Sequence, residues 1–440
     1  MDPLVTTARS VLETNDRGDM IIPAAQLYPH QWLWDSALNA VGLAHLDWRR
    51  AAAEIEHLFK GQWRGGNNAG FLPHIRFNAQ AAGYFPGPGV WASERFSGLN
   101  GVYTSGITQP PIVADAVWRV FHECPSEQEG RDFLHRVYGP LTDYHRWLKR
   151  ARDPQDKGLL FIAHPWESGL DNSPQFDEPM QRIVGVADEA RTLVDAQRRD
   201  TGVIPTTQRP TQEDYYRYIH LVLAYREIGY NWGEVLRRGE FQVQEVAFNA
   251  IWCRSNRALA AIARLLGKAD DATQFVAWAD QTHKIVNEKL WDPDRGMYDS
   301  FDLRANRRLP VDTIAAFLPL FAGIPDEKRA KRLLAHLTAE DEFDLPHPVP
   351  TTSRREAAFD PDKYWRGPSW VVTNWFVIRG LDQYAGPCRD FGQHVRNKTL
   401  EMTEQSGLWE YFNSLTGKGR GTTDYSWTAA LAIDLSLWRK

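Results

Sequence analysis

Two short stretches of this 440-residue chain carry carboxylates in settings suited to chemistry. The first, His164 to Pro174 (H-P-W-E-S-G-L-D-N-S-P), sets Glu167 and Asp171 beside Trp166 and Asn172, and its glycine and two prolines keep it from being one continuous helix. The second, Gly407 to Tyr411 (G-L-W-E-Y), places Glu410 between a Trp and a Tyr. Hydrolysis of a glycosidic bond needs a carboxylic acid to protonate the leaving oxygen and a second carboxylate to activate water or attack the anomeric carbon. Asp171 and Glu410 are the candidate pair, with Glu167 as the rival acid. Structural roles compete with each: a turn cap for Asp171, a solvated hairpin position for Glu410, a hydrogen bond to its own loop for Glu167.

Aromatic rings supply the second half of such a site. The chain holds 18 Trp, 15 Tyr and 20 Phe, residues that stack on sugar rings and also fill cores. Trp34 and Asp35 lie near the start of a helical pattern with Tyr28 and Trp32 close by. There Asp35 either accepts hydrogen bonds from sugar hydroxyls or simply complements a helix N-terminus. The stretch Tyr364 to Trp370 (Y-W-R-G-P-S-W) offers Tyr364, Trp365 and Trp370 as a platform or as a packed loop with a cation–π contact. Arg209 sits in a Tyr-rich segment with Tyr215, and arginine is suited to bidentate recognition of a carboxylate, although an exposed surface Arg is the commoner case.

Other chemistries find little support. The 51 Lys and Arg against 56 Asp and Glu give a net charge of -5 with no long run of one sign, so no nucleic-acid partner is expected. No H-E-x-x-H occurs and the 13 histidines lack ligand spacing, so neither a metal nor an organic cofactor is expected. G-G-N-N-A-G and G-K-G-R-G lack the Walker spacing, and no G-x-S-x-G elbow is present. Three scattered cysteines fit free thiols in a reducing compartment. No 18-residue apolar run and no signal-like start occur. These features predict a soluble cytoplasmic protein acting on a small-molecule glycoside, away from membranes; homo-oligomerisation is left open.

The elements that must position these residues are helices. Apolar periodicity predicts helices over 3–14, 31–45, 47–62, 110–121, 128–150, 181–200, 213–229, 241–266, 271–291, 311–321, 325–337, 368–384, 388–404 and 427–438, most of them in antiparallel pairs. Short β-hairpins or chain reversals are expected at Asp153, Asp292 and Asn413. Repeated helical hairpins with an apolar final helix predict an all-α closed toroid instead of a linear solenoid, though the count of thirteen or fourteen exceeds a clean twelve. Residues 1–440 are expected to form one catalytic domain, with irregular loops 63–107 and 345–366 bordering the site as rims or lids, at least one of them mobile.

Taken together, Q-W-L-W-D-S (Gln31 to Ser36), N-x-x-G-F-L-P-H-I (Asn67 to Ile75), W-E-S-G-L-D-N-S-P (Trp166 to Pro174), Y-W-R-G-P-S-W and W-E-Y-F-N-S-L-T-G-K-G followed by Y-S-W-T-A-A-L resemble glycoside hydrolase family 63. The elements run in the family's order over nearly the whole chain. The resemblance implies an (α/α)6 toroid and an inverting α-glycosidase with Asp171 as general acid, Glu410 as general base and Asp35 at the glycone subsite. Tyr28, Trp34, Trp166, Tyr364, Trp365 and Trp370 would line the pocket. The chain's size resembles compact bacterial members that hydrolyse glucosylglycerate, the first expectation here, or mannosylglycerate, which makes Arg209 and Tyr215 candidates for the glycerate carboxylate and brings Gln109 within reach of the ligand. A trehalase or oligosaccharide α-glucosidase is the alternative within the fold. A non-catalytic carbohydrate-binding protein is the alternative from another class.

Overall fold

The computed structural model describes residues 2–81 and 83–438; Met1, Arg439 and Lys440, at the ends of the predicted 1–440 domain, and Ala82, within the predicted 63–107 loop, lie outside the described residues. Six helices form an inner ring: Leu33–Leu43, Val113–His122, Val246–Leu265, Leu318–Phe321 with the 3₁₀ turn Ile314–Phe317 leading into it, Val371–Leu381 and Ser426–Leu437. Each packs on the next, and the last returns to the first. The outer layer comprises Pro3–Asn15 against the last inner helix, then Trp48–Leu58, Glu127–Arg152, Ala269–Ile285, Glu327–Leu337 and Pro387–Ser406. This is the (α/α)6 toroid, with a separate inner and outer helix in each hairpin.

The two layers differ in sequence for a physical reason. Every residue of Leu33–Leu43 is buried, as is every residue from Ser426 to Leu435, because an inner helix meets neighbours on all sides. An outer helix such as Trp48–Leu58 buries one stripe, including Trp48, Ala51, Ala52, Ile55 and Leu58. Ring closure depends on Gly42, where a Cβ would lie 1.9 Å from the carbonyl oxygen of Ala430. The first and last inner helices therefore meet backbone to backbone.

Local signals act where expected. Asp47 caps Trp48–Leu58 by accepting from the N–H of Arg50 at 3.0 Å, and Gly267 ends Val246–Leu265 at a φ of +71°. The surplus over twelve helices is the pair Asp188–Gln197 and Gln212–Glu227, an excursion between Glu127–Arg152 and Val246–Leu265. The predicted 31–45 helix begins only at Leu33, since Gln31 and Trp32 pair as a strand with Arg76 and Ile75. Hairpins form at Asp292 and next to Asn413. At Asp153 the chain reverses in a turn without strands, the carboxylate accepting from the N–H groups of Lys157 and Gly158 at 2.8 Å each. A three-stranded sheet of Val243–Gln244, Ser300–Asp302 and Arg307–Leu309 is additional to the predicted hairpins. No helix among the described residues is long and apolar enough to cross a membrane.

Candidate active site

The inner helices begin around one cavity of about 90 Å³. Of the residues singled out in the sequence, Tyr28, Trp34, Asp35, Gln109, Trp166, Asp171, Arg209, Tyr215, Tyr364 and Trp365 all line it. Both irregular stretches contribute, through His74, Tyr84, Phe85 and Pro86 from one and Tyr364 and Trp365 from the other. A second chamber of about 300 Å³ adjoins the first, and Tyr28, Tyr84, Phe85, Arg209 and Tyr215 bound both.

Asp171 is held from three directions. The 3₁₀ turn Pro165–Ser168 ends at Gly169, whose φ of +72° and close approach to Trp34, 2.5 Å from where a Cβ would sit, exclude a larger residue. The hydroxyl of Tyr218 donates to the Asp171 carbonyl at 3.1 Å, and the indole N–H of Trp365 donates to its carboxylate at 3.1 Å. Glu167, the rival acid, is committed elsewhere. Fully buried, it pairs with Arg152 at 2.5 Å and accepts from the N–H groups of Thr108 at 3.1 Å and Ala163 at 2.7 Å, tying three segments together.

Glu410 lies one layer behind the cavity surface. It is fully buried, accepts from the Tyr28 hydroxyl at 2.9 Å and from the N–H of Thr422 at 3.2 Å, and so meets the cavity through Tyr28. Its strand, Tyr411–Phe412, pairs with Gly419–Arg420 and bonds to Ser369 at the end of the aromatic loop. Trp370 does not line the pocket. It stacks behind Trp365 with ring centres 3.6 Å apart, and Tyr411 stacks behind it at 4.7 Å. Because Trp365 occupies the cavity face, Trp370 can only be the middle of a slab joining the support of Asp171 to the strand of Glu410.

Electrostatics separate the carboxyls. Burial raises Asp35 to about 8, Asp171 to about 7 and Glu410 to about 6. The Arg209 guanidinium opposes the rise at Asp171 and Glu410, while the charge of Glu410 adds to it at Asp35 and Asp171. Near neutrality one carboxyl is ionised, one is mostly protonated and Asp171 lies between. His74 and His164 are held neutral by burial, at about 3. They serve as packing and hydrogen-bonding groups; His164 accepts from the N–H of Trp166 at 3.1 Å.

Arg209 and Tyr215 are organised by a residue that sequence reasoning missed. Asp200 accepts from the Arg209 Nε at 3.0 Å, from the Tyr215 hydroxyl at 3.0 Å and from Arg198 at 2.7 and 3.2 Å. A lone Asp after a helix carries no motif, so nothing marked it. Tyr84, Tyr425 and Trp427 were likewise missed as cavity walls, although each sits in a stretch whose composition stood out. Gln109 accepts from the backbone N–H of Trp34 at 3.3 Å, which fixes its amide at the cavity edge. No group of three or more His, Cys, Asp or Glu side chains among the described residues could hold a metal ion.

Asp35 yields a stability prediction. An unfolded aspartate ionises at about 3.9, whereas the folded group stays protonated up to about 8. Its raised value therefore supports folding at low pH and loses that support as pH rises through this window. Asp35→Asn should melt several degrees above the wild type at pH 8, with the gap closing near pH 4. A gap unchanged across that range would show that burial of this charge is not its cause.

An (α/α)6 toroid whose aromatic-lined cavity holds the carboxyls of Asp35 and Asp171 is the frame of a class, the helical-toroid glycoside hydrolases, and the chain is a member of glycoside hydrolase family 63. Residues 28–428 match the mannosylglycerate hydrolase MGH1-like glycoside hydrolase domain, the branch of the family to which the chain belongs. It is 40% identical over 97% of its length to a mannosylglycerate hydrolase of Thermus thermophilus, covering 99% of that protein. It is 34% identical over 98% of its length to a glucosylglycerate hydrolase of Mycolicibacterium hassiacum, covering 97% of it. The crystal structure of a Thermus thermophilus mannosylglycerate hydrolase in complex with Tris and D-glycerate, 40% identical in sequence, superposes with a TM-score of 0.90, covering 98% of this chain and 99% of that one.

Proposed function

We propose that this glycoside hydrolase cleaves a small α-glycoside of glycerate with inversion, using Asp171 as general acid and Glu410 as general base. The observation that carries the substrate class is Arg209. It is buried at the boundary of the two chambers, it contacts Asp200 and Tyr28, and its second Nη makes no hydrogen bond among the described residues. A buried guanidinium with a donor to spare beside a sugar-sized chamber suits an acceptor that ends in a carboxylate. The relatives named for mannosylglycerate and glucosylglycerate support the same class. Mannosylglycerate ranks first because its Thermus hydrolase shares 40% of residues against 34% for the glucosylglycerate enzyme.

In this reading the sugar occupies the inner chamber against Trp34, Trp166 and Trp365, with Asp35 bonding its hydroxyls. Asp171 gives its proton to the glycosidic oxygen as the bond to the anomeric carbon breaks. Glu410 takes a proton, relayed by the Tyr28 hydroxyl that lies between it and the cavity, from the water that attacks the opposite face. Inversion needs room for that water, roughly 6.5–9.5 Å between the two carboxyl groups. The pH optimum follows from the values above. Glu410 must be ionised, which requires pH above about 6, and Asp171 protonated, which requires pH below about 7.

Arg209→Ala tests the acceptor. It should raise KM for mannosylglycerate by about 100-fold, as expected for loss of a partly buried charge-assisted contact. A neutral α-mannoside should lose far less. Equal losses on both would mean that Arg209 holds the fold and not the acceptor.

A further inference from the structure

Arg209 stands between the acceptor and the acid–base pair. Its Nη1 donates to the Tyr28 hydroxyl at 3.1 Å, and that hydroxyl donates to Glu410 at 2.9 Å. Its Nε pairs with Asp200, but Asp200 also pairs with Arg198 at 2.7 Å, so one carboxylate serves two guanidinium groups. Part of the Arg209 charge is left to act on the cavity. The guanidinium lies 4.3 Å from the ring centre of Tyr364, beside Asp171.

The groups around Asp171 are few. Trp365 donates to it, Tyr364 comes from the same loop, Tyr218 from the excursion helix, Tyr84 from the first irregular stretch and Asp35 from the first inner helix, while Glu410 acts on it from behind the cavity lining. Arg366 is nearby but is paired with Asp177. Among the described residues, Arg209 is thus the cation whose charge acts on the acid. A cation beside a carboxyl favours its ionised form, which is the wrong form for a general acid.

Resting on the function proposed above, we infer that the acceptor's charge switches the acid on: a carboxylate bound at Arg209 cancels the guanidinium, Asp171 takes up a proton from solvent, and the polarised Tyr28 loosens its hold on Glu410. No covalent bond changes on binding. One proton enters, rests on Asp171 and leaves on the glycosidic oxygen during turnover, while Glu410 takes its proton from water. Both groups titrate higher once the cation is cancelled, so the bell-shaped profile of kcat moves to higher pH. Neutral substrates leave Arg209 charged and Asp171 partly ionised. The negative charge of the substrate then acts on turnover as well as on binding.

The test compares mannosylglycerate with its methyl ester, which has the same acceptor shape without the charge. The alkaline limb of kcat, which reports the bound enzyme, should lie about one pH unit or more higher for the acid, the size expected of one charge at short range in a partly buried site. Arg209→Met should move the ester's limb upward, which a purely structural role would not do. Calorimetry of D-glycerate binding at pH 7.5 in two buffers of different ionisation enthalpy should show uptake of part of a proton, and Asp171→Asn should remove most of it, leaving the smaller share that belongs to Glu410. Turnover with coincident limbs, or binding without proton uptake, overturns the switch and leaves the function standing. Absence of turnover on mannosylglycerate and glucosylglycerate overturns the function itself.

Discussion

Glu410→Gln lowers kcat on the glycosylglycerate by roughly 10³- to 10⁴-fold, the upper range for loss of a general base, while the folded protein becomes more stable at alkaline pH. Both halves follow from one environment. Glu410 is fully buried and, among the described residues, its carboxylate accepts only from Tyr28 and the Thr422 N–H, so an isosteric amide fits the space. Burial raises its carboxyl to about 6, which means that ionisation above that pH opposes folding. Gln removes the ionisation and, with it, the group that draws a proton from water. Steady-state kinetics together with thermal denaturation at pH 8 check the pair of effects. Near-full activity would remove Glu410 from the mechanism, and a large fall in Tm would recast it as structural.

Asp171→Asn produces a loss of similar size on the natural type of substrate, but one that depends on the leaving group. An alkoxide acceptor leaves only with a proton, whereas fluoride leaves without one. The variant should therefore retain much of its activity on an α-mannosyl fluoride while losing roughly 10²- to 10⁴-fold on the glycoside. Glu410→Gln should be impaired on both, because water still needs its base. Among the described residues the carboxylate accepts from one side chain, Trp365, and Asn can keep that bond, so the comparison reports chemistry and not misfolding. Equal impairment on fluoride and glycoside would reassign the acid.

The parts of this site legible in the sequence were those whose chemistry is local. Asp171 and Glu410 stood out because a carboxylate beside Trp, Gly and Pro in an irregular stretch has few structural reasons to be there. The toroid was legible because helical hairpins recur along the chain and the final helix is apolar, although the pair Asp188–Gln197 and Gln212–Glu227 spoils the count and is indistinguishable from barrel helices by period alone. What the sequence hides is depth. Trp365 and Trp370 look alike in Y-W-R-G-P-S-W, yet they stack face to face at 3.6 Å and only the first reaches the cavity. Glu167 and Asp171 are four positions apart, and their roles divide only when Arg152 arrives from the end of Glu127–Arg152 to claim Glu167. Asp200 is hidden for the same reason, since its importance rests on Arg198, Arg209 and Tyr215 converging on it.

The central claim is that Asp171 and Glu410 act on opposite faces of an α-glycoside of glycerate. Proton NMR of the first sugar released from α-mannosylglycerate, followed before mutarotation, tests it most directly. The account predicts β-mannose first, with the α-anomer appearing only as the solution equilibrates. Release of α-mannose would mean retention and a covalent intermediate, and would contradict the assignment of Glu410 as a base acting through water.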